Sequence, residues 1–541
     1  IYVIDNAAVT VTELDHSGRD RIISSVSLAL PAYVEELQLA QHFFARNATG
    51  NELNNILIGN LAANKLDGSV GADQMSGGFG HDTYYVDNVS DQTIELAGAG
   101  NDHVISSVSW TLSPFVEDLT LVPSHDSDGN VIDLNLDGTG NTLANDIVGT
   151  SGDNRLDDGG GGHDVLRGGD GDDTYVVSTS LAKVVEVYGQ GLDTVHSNIS
   201  YALGSNLENL VLDGVGDLTG TGNALANHIT GNADNNVLDG DRGADILVGG
   251  DGADVYHVDD VSDQIIELSA EGIDSVYSSV SYTLSAHVDN LKLTGMRSNF
   301  AYGNDLPNHL EGNSGNNILN GFGGADLMEG WVGNDTYYVD HVGDVVVDFI
   351  GDDHVRSTID WELPSGLDDL TLLDDARVAV GNDSANDLVG TSLANVLDGR
   401  GGHDVLTGGD GADVFVLRDA SMGFKADVIT DFNPAQGDLL ALPAYMFGAD
   451  SLPDVKIASG FMGLLDAYQS EDELIYNPKN GRLYFNANGS SHGMGSDGGL
   501  LAIFSNKPED LGSFVAFTEP MDDLSSLNGL IGSSPLGSDS I

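Results

Sequence analysis

The sequence predicts an all-β chain, a parallel solenoid of nine-residue repeats followed by a C-terminal β cap. Three observations predict this fold: a block of about eighty residues that recurs five times, a nine-residue period inside each block, and a break in both near residue 418. A nine-residue unit is too short to bury an apolar side chain by itself. Successive units must therefore stack and share one continuous core.

The composition is strongly acidic. The 541-residue chain has 85 acidic residues against 19 Lys and Arg, a net charge of −66, with 71 Gly and no Cys. This charge excludes a nucleic-acid partner held through its phosphates, which would need a basic stripe. The lack of Cys excludes disulfides and thiolate metal sites, and no apolar run is long enough to predict a membrane span. Repulsion between the acids opposes compaction unless cations are bound.

The longer period is marked by the phrase DTYYVDN, which begins at Asp82. Related phrases begin at Asp173, Asp254, Asp335 and Asp413, with spacings of 91, 81, 81 and 78 residues. A second phrase, of the type SSVSYTL, recurs between them in every block. The sequence therefore predicts five solenoid blocks within residues 1–418. Because 81 is nine times nine, we expect the text between the phrases to continue the same winding.

Inside each block, four consecutive rows of nine residues share one pattern, and we call these four rows a quartet. Position one is Gly and position eight is apolar in all twenty rows. Gly permits a sharp turn, and the position-eight side chains are predicted to form a buried ladder. Two rows make one coil, so that position six lies over the position six found 18 residues later, about 4.8 Å away. The quartets span residues 50–85, 140–176, 222–257, 303–338 and 381–416.

Position six carries the predicted metal ligands, being Asp in the third and fourth rows and Asn in the first two. Stacked carboxylates repel each other unless a cation joins them, and a ligand set made only of oxygen suits calcium better than zinc or magnesium. The alternative is that each Asp merely caps a turn. The predicted Asp ligands are Asp73, Asp82, Asp164, Asp173, Asp245, Asp254, Asp326, Asp335, Asp404 and Asp413. Weaker or empty sites are predicted at Asn55, Asn64, Asn227, Asn236, Asn308 and Asn317.

Three third-row Asp have a further Asp one coil later. Asp91, Asp263 and Asp344 each follow a third-row Asp by 18 residues, whereas Ala182 and Met422 hold that place after Asp164 and Asp404. We therefore predict that these three Asp also bind metal and that the three Asp–Asp pairs are the tighter sites.

The rows with Asp resemble the calcium-binding nonapeptides of RTX (repeats-in-toxin) proteins. GGFGHDTYY, GGDGDDTYV, GGDGADVYH and GGDGADVFV carry the resemblance, and Asn at position six in half the rows departs from the family pattern. The resemblance implies a parallel β-roll that binds several Ca²⁺ ions.

The last 123 residues, 419–541, are predicted to form the C-terminal cap. RLYFNA and LLAIFS alternate in the manner of strands around Asn-Gly turns, and an open solenoid end requires a cover. The phrases DVITDFNPAQGD and LIYNPKNGRLYFNANG are similar to the cap of type I-secreted RTX proteins. This similarity implies export by the type I secretion machinery, an extracellular or cell-surface location, and a C-terminal signal in the Ser/Gly-rich tail. A plain flexible tail has the same composition. Asp427, Asp431 and Asp438 either hold another ion or cap turns.

Three other patterns have competing interpretations. GSSHG around Ser491 matches a hydrolase nucleophile elbow but lies in a Gly-rich run without the strand and helix that an elbow needs. His81, His163 and His403 are more typical of solvated turn residues than of zinc ligands. Asp126, Asp128, Asn130 and Asp133 have spacings similar to an EF-hand loop, but the expected Gly is displaced and no Glu closes the loop, which favours an acidic surface loop.

The sequence contains no HExxH motif and no nucleotide-binding loop, and we predict that the chain is not an enzyme. The favoured hypothesis is an extracellular structural protein that folds and stiffens on binding calcium, as a surface-layer, filament, matrix or adhesive component. The alternative is the calcium-folding secretion module of a larger secreted enzyme or toxin. Because the chain opens inside a truncated repeat, YVIDN, we expect either an upstream part or self-association through the solenoid ends.

Overall fold

The computed structural model describes residues 1–14, 18–41, 45–125, 128–418, 426–443, 455–458, 474–487, 498–509, 511, 514–517 and 524–531. The chain divides into two units, Ile1–Asp274 and Ser275–Ile541. Each unit is nearly all β, with parallel sheets stacked as a β-solenoid, and this confirms the predicted fold class. Among the described residues, no helix has the length and apolar character that crossing a membrane would require.

The first unit holds three complete parallel sheets, a further parallel array and one antiparallel ribbon. In order of pairing, the first sheet comprises Tyr2–Ile4, Arg21–Ser24, Glu36–Leu39, Ile56–Ile58, Gln74–Ser76 and Gln92–Ile94. The second comprises Leu28–Ala29, Asn47–Thr49, Lys65–Asp67, Thr83–Val86, His103–Ser106, Asp118–Leu121, Asp146–Val148, Val165–Arg167 and Lys183–Val184. The third comprises Trp110–Thr111, Gly138–Thr139, Arg155–Asp157, Thr174–Val177, Thr194–Ser197, Asn209–Leu212, His228–Thr230, Ile246–Val248 and Gln264–Ile266. The array is Tyr201–Ala202, Thr219–Thr221, Val237–Asp239 and Val255–Val258, and the ribbon is Ser124–His125 with Val131–Asp133.

The second unit repeats this plan and adds antiparallel strands near the C-terminus. One array comprises Ser275–Ser278, Asn290–Leu293, His309–Glu311, Leu327–Glu329 and Val345–Val347. A longer sheet comprises Tyr282–Thr283, Phe300–Tyr302, Ile318–Asn320, Thr336–Val339, His354–Ser357, Asp369–Leu372, Asp387–Val389, Val405–Thr407, Asp427–Ile429, Gly499–Phe504, Arg482–Phe485, Leu474–Asn477 and Val455–Ile457. The last sheet comprises Trp361–Glu362, Val378–Val380, Val396–Asp398, Val414–Val416, Leu439–Pro443 and Phe514–Phe517.

The pairing confirms that two rows make one coil. Ile56–Ile58 pairs with Gln74–Ser76, and the intervening Lys65–Asp67 pairs instead with Thr83–Val86. Each row therefore contributes a short strand to one face, and the next row contributes to the other. The linking text continues the winding, as predicted, because His103–Ser106 pairs in parallel with Thr83–Val86.

The core is the ladder of position-eight side chains. In a typical row, such as Gln74–Ser76, the two outer strand residues are half-buried and the middle one is fully buried. All twenty position-eight residues are completely buried. This burial explains why nine-residue rows can fold only when they are stacked.

The described part of the C-terminal segment forms a cap on the last sheets. Arg482–Phe485 and Gly499–Phe504 pair antiparallel, and the second of them lies parallel to Asp427–Ile429. A short helix, Leu524–Asn528, precedes a turn, and Leu527 and Leu530 pack in one apolar cluster with valines of the last sheet. The predicted strands are confirmed, whereas residues 532–541 of the predicted signal lie outside the described residues.

Candidate metal sites

One carboxylate oxygen of every position-six Asp accepts a backbone hydrogen bond. In the first block, Asp73 Oδ1 accepts from the Asn55 N–H at 2.6 Å and Asp82 Oδ1 accepts from the Asn64 N–H at 2.6 Å. The eight other third- and fourth-row Asp make the same bond to a position-six Asn one coil earlier. The spacing is 18 residues except in the second block, where the extra residue Asp158 makes it 19. Stacking of position six is thus confirmed.

The other carboxylate oxygen of each of these Asp is buried and has no hydrogen-bond partner. The side chains are 0–1 % exposed, so water does not reach the Oδ2 atoms. A buried ionised oxygen without a partner is strongly unfavourable, and turn capping explains only Oδ1. The orphaned atoms are Oδ2 of Asp73, Asp82, Asp164, Asp173, Asp245, Asp254, Asp326, Asp335, Asp404 and Asp413.

Burial therefore raises the pKa of these carboxyl groups. Desolvation raises the pKa of Asp73 and of Asp82 to about 7, although the N–H bond at Oδ1 opposes the shift. Neighbouring acids add to the shift, as Asp91 does for Asp73. A bound cation would remove this penalty, because it favours the ionised form.

The Asn residues at position six are, by contrast, satisfied within the protein. Asn55 Oδ1 accepts from the Asn51 N–H at 2.7 Å, and Asn55 Nδ2 donates to the Val34 carbonyl at 3.2 Å. Asn227 and Asn308 make the equivalent bonds, with distances of 2.7–3.1 Å. These amides point hydrogen-bond donors at carbonyl oxygens that a cation would also seek. Metal binding at Asn55, Asn64, Asn227, Asn236, Asn308 and Asn317 stays a prediction.

Position-one Gly is required in the Asp rows because of the carboxylate. A Cβ built on Gly240 would overlap the Asp245 carboxylate, and the same holds at Gly321 with Asp326. Neither glycine has a positive φ. The sequence pattern indicated a turn requirement at position one, but the structure shows that the requirement is space for the carboxylate.

We expect Gly240→Ala to weaken calcium binding and to destabilise the protein by about 1–3 kcal/mol, the usual range for overpacking. The matched control is Gly204→Ala, where the nearest atom to a built Cβ is the Val184 carbonyl oxygen at 3.6 Å. Thermal unfolding at fixed calcium measures both variants. Equal melting temperatures for the two would contradict the space requirement at position one.

The three predicted Asp–Asp pairs are present. Asp91 Oδ1 accepts from the Asp73 N–H at 2.9 Å, and the pairs Asp245–Asp263 and Asp326–Asp344 have the same bond at 3.1 Å. Asp91 Oδ2 also accepts a backbone N–H, from Asn88 at 3.2 Å. Both oxygens of Asp91 are therefore occupied by the protein, and each pair retains one orphaned oxygen, that of the third-row Asp.

Sequence reasoning missed the acids that follow the fourth row. Asp102 Oδ1 accepts from the Asp82 N–H at 2.8 Å, and the spacing here is 20 residues instead of 18. The same arrangement recurs at Asp193, Asp274 and Asp353. A recurring G-x-D phrase, found as GND, GLD, GID and GDD, was the available signal. Its Gly is needed because a Cβ on Gly100 would overlap the Gly80 carbonyl.

The last block departs from the expected spacing. Asp404 was predicted to lack a partner, and this is wrong: Asp427 Oδ1 accepts from the Asp404 N–H at 3.1 Å, across 23 residues. Inserted residues, among them Met422, which lies outside the described residues, move the partner along the chain. Asp438 accepts from the Asp413 N–H at 3.0 Å in the same way. Asp431 caps the turn N–H groups of Gly408 and Gly409 at 3.0 and 2.8 Å.

The remaining candidates do not join a metal site among the described residues. His81 is exposed, and its Nδ1 accepts from the Asn101 N–H at 2.9 Å. Asp133 and Asp128 belong to the region of the antiparallel ribbon, but Asp126 lies outside the described residues, so an ion there is untested. Ser491 also lies outside the described residues.

One protein family matches the chain. The family described as RTX calcium-binding nonapeptide repeat (4 copies) matches residues 49–84, 139–175, 221–256, 302–337 and 380–415. Each matched segment coincides with one quartet to within one residue. No curated protein matches the chain.

Proposed function

Because the chain is an RTX-repeat protein, we propose that it is an extracellular calcium-binding structural protein whose solenoid folds and stiffens when calcium binds. The observation that carries the proposal is the set of ten buried Oδ2 atoms without partners, repeated in register through five blocks. Carboxylate oxygens are the ligands that calcium prefers, and calcium tolerates the variable geometry that a stack of turns offers.

The coupling of calcium to folding follows from where the ligands lie. Each Asp73-type site joins residues from successive coils, so the complete site exists only when the coils are stacked. Binding free energy then becomes folding free energy. Extracellular calcium modules bind at about 10⁻⁴–10⁻³ M, and a site in this range would be empty in a calcium-poor cytosol and occupied outside. RTX-repeat proteins are typically secreted by the type I route, which fits an unfolded chain before export.

A structural role is supported by the uniformity of the blocks. The β-solenoid is a structural fold, and the buried ladder and the orphaned oxygens recur in all five quartets instead of being concentrated in one differentiated site. We propose that the folded chain associates through its solenoid ends into a surface layer, filament or matrix. Electron microscopy and light scattering with and without calcium test this, and a chain that stays monomeric with calcium would contradict it. The mass of the native protein tests the alternative, because an additional catalytic part would indicate a secretion module.

Calcium binding itself is tested by equilibrium dialysis of the full chain. We expect the wild-type chain to bind several Ca²⁺ ions at about millimolar calcium, with little competition from magnesium, which demands stricter octahedral geometry. Replacing the ten position-six Asp by Asn should remove most of this binding. A matched control replaces ten exposed Asp by Asn, among them Asp137 and Asp217. A wild-type chain that binds no calcium would refute the proposed function.

A further inference from the structure

In each of the first four blocks, the fourth-row Asp lies beside two acids from the text that links the blocks. In the first block these are Asp82, Glu95 and Asp102, and their ligand atoms all lie within 4.8 Å of one another. Asp82 and Asp102 are each 1 % exposed, and Glu95 is 7 % exposed. The equivalent clusters are Asp173, Glu186 and Asp193; Asp254, Glu267 and Asp274; and Asp335, Asp348 and Asp353.

Orphaned oxygens point into these clusters. Asp82 Oδ2 and Asp102 Oδ2 are both buried without a hydrogen-bond partner, as are Asp335 Oδ2 and Asp353 Oδ2 in the fourth block. A Cβ built on Gly77 would overlap both Asp82 Oδ2 and Glu95 Oε1, which places the two oxygens around one point. Three buried carboxylates at this distance repel strongly unless a cation lies between them.

A tyrosine accompanies the third acid in every case. The Tyr84 hydroxyl donates to Glu95 and accepts the Gly77 N–H at 2.7 Å. Tyr175, Tyr256 and Tyr337 donate in the same way to Glu186, Glu267 and Asp348. In the fifth block, position eight is Phe415, and no such group of three acids occurs among the described residues there. The tyrosine and the third acid are thus present together or absent together.

We propose that these four clusters are a second class of calcium site, in which linker acids complete the fourth-row Asp and the tyrosine positions the third acid. The proposal rests on the proposed function, because it assigns additional ligands to the same calcium-binding columns. The third-row sites offer one orphaned oxygen each, because the protein already occupies both oxygens of the partner Asp91. A site with three carboxylates has the greater ligand charge, which raises calcium affinity. The fourth-row sites therefore fill before the third-row sites, the reverse of the order that the sequence spacing suggested.

The clusters also give the linkers a role in folding. Glu95 and Asp102 belong to the text after the first quartet, yet they meet Asp82 inside its last row. An ion at this point joins a quartet to the linker coil that follows it. Occupation of the site therefore orders the linker together with the quartet, instead of each quartet folding by itself.

Terbium luminescence tests the proposal, since Tb³⁺ occupies calcium sites and its emission is excited through a nearby aromatic ring. The full chain is loaded with Tb³⁺ and excited in the tyrosine band. We expect sensitised emission that saturates with the first four equivalents and is displaced by calcium. The variant with Tyr84, Tyr175, Tyr256 and Tyr337 all changed to Phe should lose most of this emission. It should also bind the first four calcium ions about tenfold more weakly, as expected when the group orienting a ligand is removed.

A second variant removes the third acids directly and has a charge-matched control. Glu95→Gln, Glu186→Gln, Glu267→Gln and Asp348→Asn should weaken the first four calcium ions by at least about tenfold. The control removes the same charge at exposed residues through Glu52→Gln, Asp137→Asn, Asp217→Asn and Asp305→Asn. If the acid variant fails to fold, the tyrosine variant decides, because Phe415 already occupies the equivalent buried position.

The outcomes separate the two proposals. A wild-type chain that binds no calcium refutes the proposed function as a whole. A wild-type chain that binds calcium, together with a cluster variant that binds like its control and unchanged tyrosine-sensitised emission, refutes only the second class of site.

Discussion

At neutral pH, removal of calcium with a chelator is expected to abolish most of the strand signal in circular dichroism, and added calcium is expected to restore it. Without a cation, the folded chain must bury ten carboxylate oxygens that have no partner. The four clusters around Asp82, Asp173, Asp254 and Asp335 add further buried acids. The unfolded chain leaves all of these groups in water.

The size of the effect follows from linkage. A site whose calcium concentration is ten times its dissociation constant stabilises the folded state by about 1.4 kcal/mol. Ten such sites together contribute about as much as the roughly 5–15 kcal/mol by which a typical domain is stable. Calcium is therefore expected to decide between the folded and unfolded chain, and not merely to raise the melting temperature by a few degrees.

Magnesium at the same concentration is the control, and it should restore little of the signal because a stack of turn oxygens does not impose octahedral geometry. The variant with Asn at all ten position-six Asp should show no response to calcium. A wild-type strand signal that persists in chelator would contradict coupled folding.

Mild acid is expected to fold the chain in the absence of calcium. The ordinary pKa of an Asp carboxyl is 3.8, and burial raises that of Asp73, Asp82, Asp245 and Asp335 to about 7 in the folded state. The folded state therefore binds protons more tightly than the unfolded state. Its advantage is complete below pH 3.8 and is lost as the pH rises through about 7.

The magnitude is large because the shifts add over many groups. One pKa unit corresponds to about 1.4 kcal/mol for each group, and even a fraction of the shift, taken over ten carboxyl groups, exceeds the stability of a typical domain. Protonation at pH 5 thus neutralises the same carboxylates that calcium neutralises at pH 7.5.

The measurement is circular dichroism of the chelated chain between pH 5 and pH 8. Because the isoelectric point is about 4.1, pH 5 keeps the chain negatively charged and limits precipitation. We expect strand signal at pH 5 that declines toward pH 8, and a flatter profile when calcium is present or when the ten Asp are changed to Asn. A chelated chain that gains stability as the pH rises would contradict this account.

The amino-acid sequence by itself determined the solenoid and its columns of Asp. The nine-residue rhythm requires position eight to be apolar and position six to stack, and the structure has both, from Leu57 in the first quartet to Phe415 in the last. This prediction succeeded because each row interacts mainly with the row 18 residues away. A periodic pattern records such contacts directly.

Only the tertiary structure decided which further acids meet the columns. Asp102 follows Asp82 by 20 residues, and Asp427 follows Asp404 by 23 residues, because turns absorb inserted residues without disturbing the strand register. Constant spacing therefore does not reveal these pairs. The hydrogen bond between Tyr84 and Glu95 also depends on a fold in the linker, since the row pattern describes Tyr84 only as apolar.

The difference between Asn and Asp at position six likewise needed the structure. From the sequence, Asn55 and Asp73 are two oxygen ligands that differ by one charge. In the folded chain the Asn55 amide donates to the Val34 carbonyl, whereas Asp73 retains an oxygen without a partner. The direction of a hydrogen bond depends on which atoms face each other across coils. The physical reason is that spacing locates a residue, whereas packing determines what each of its atoms contacts.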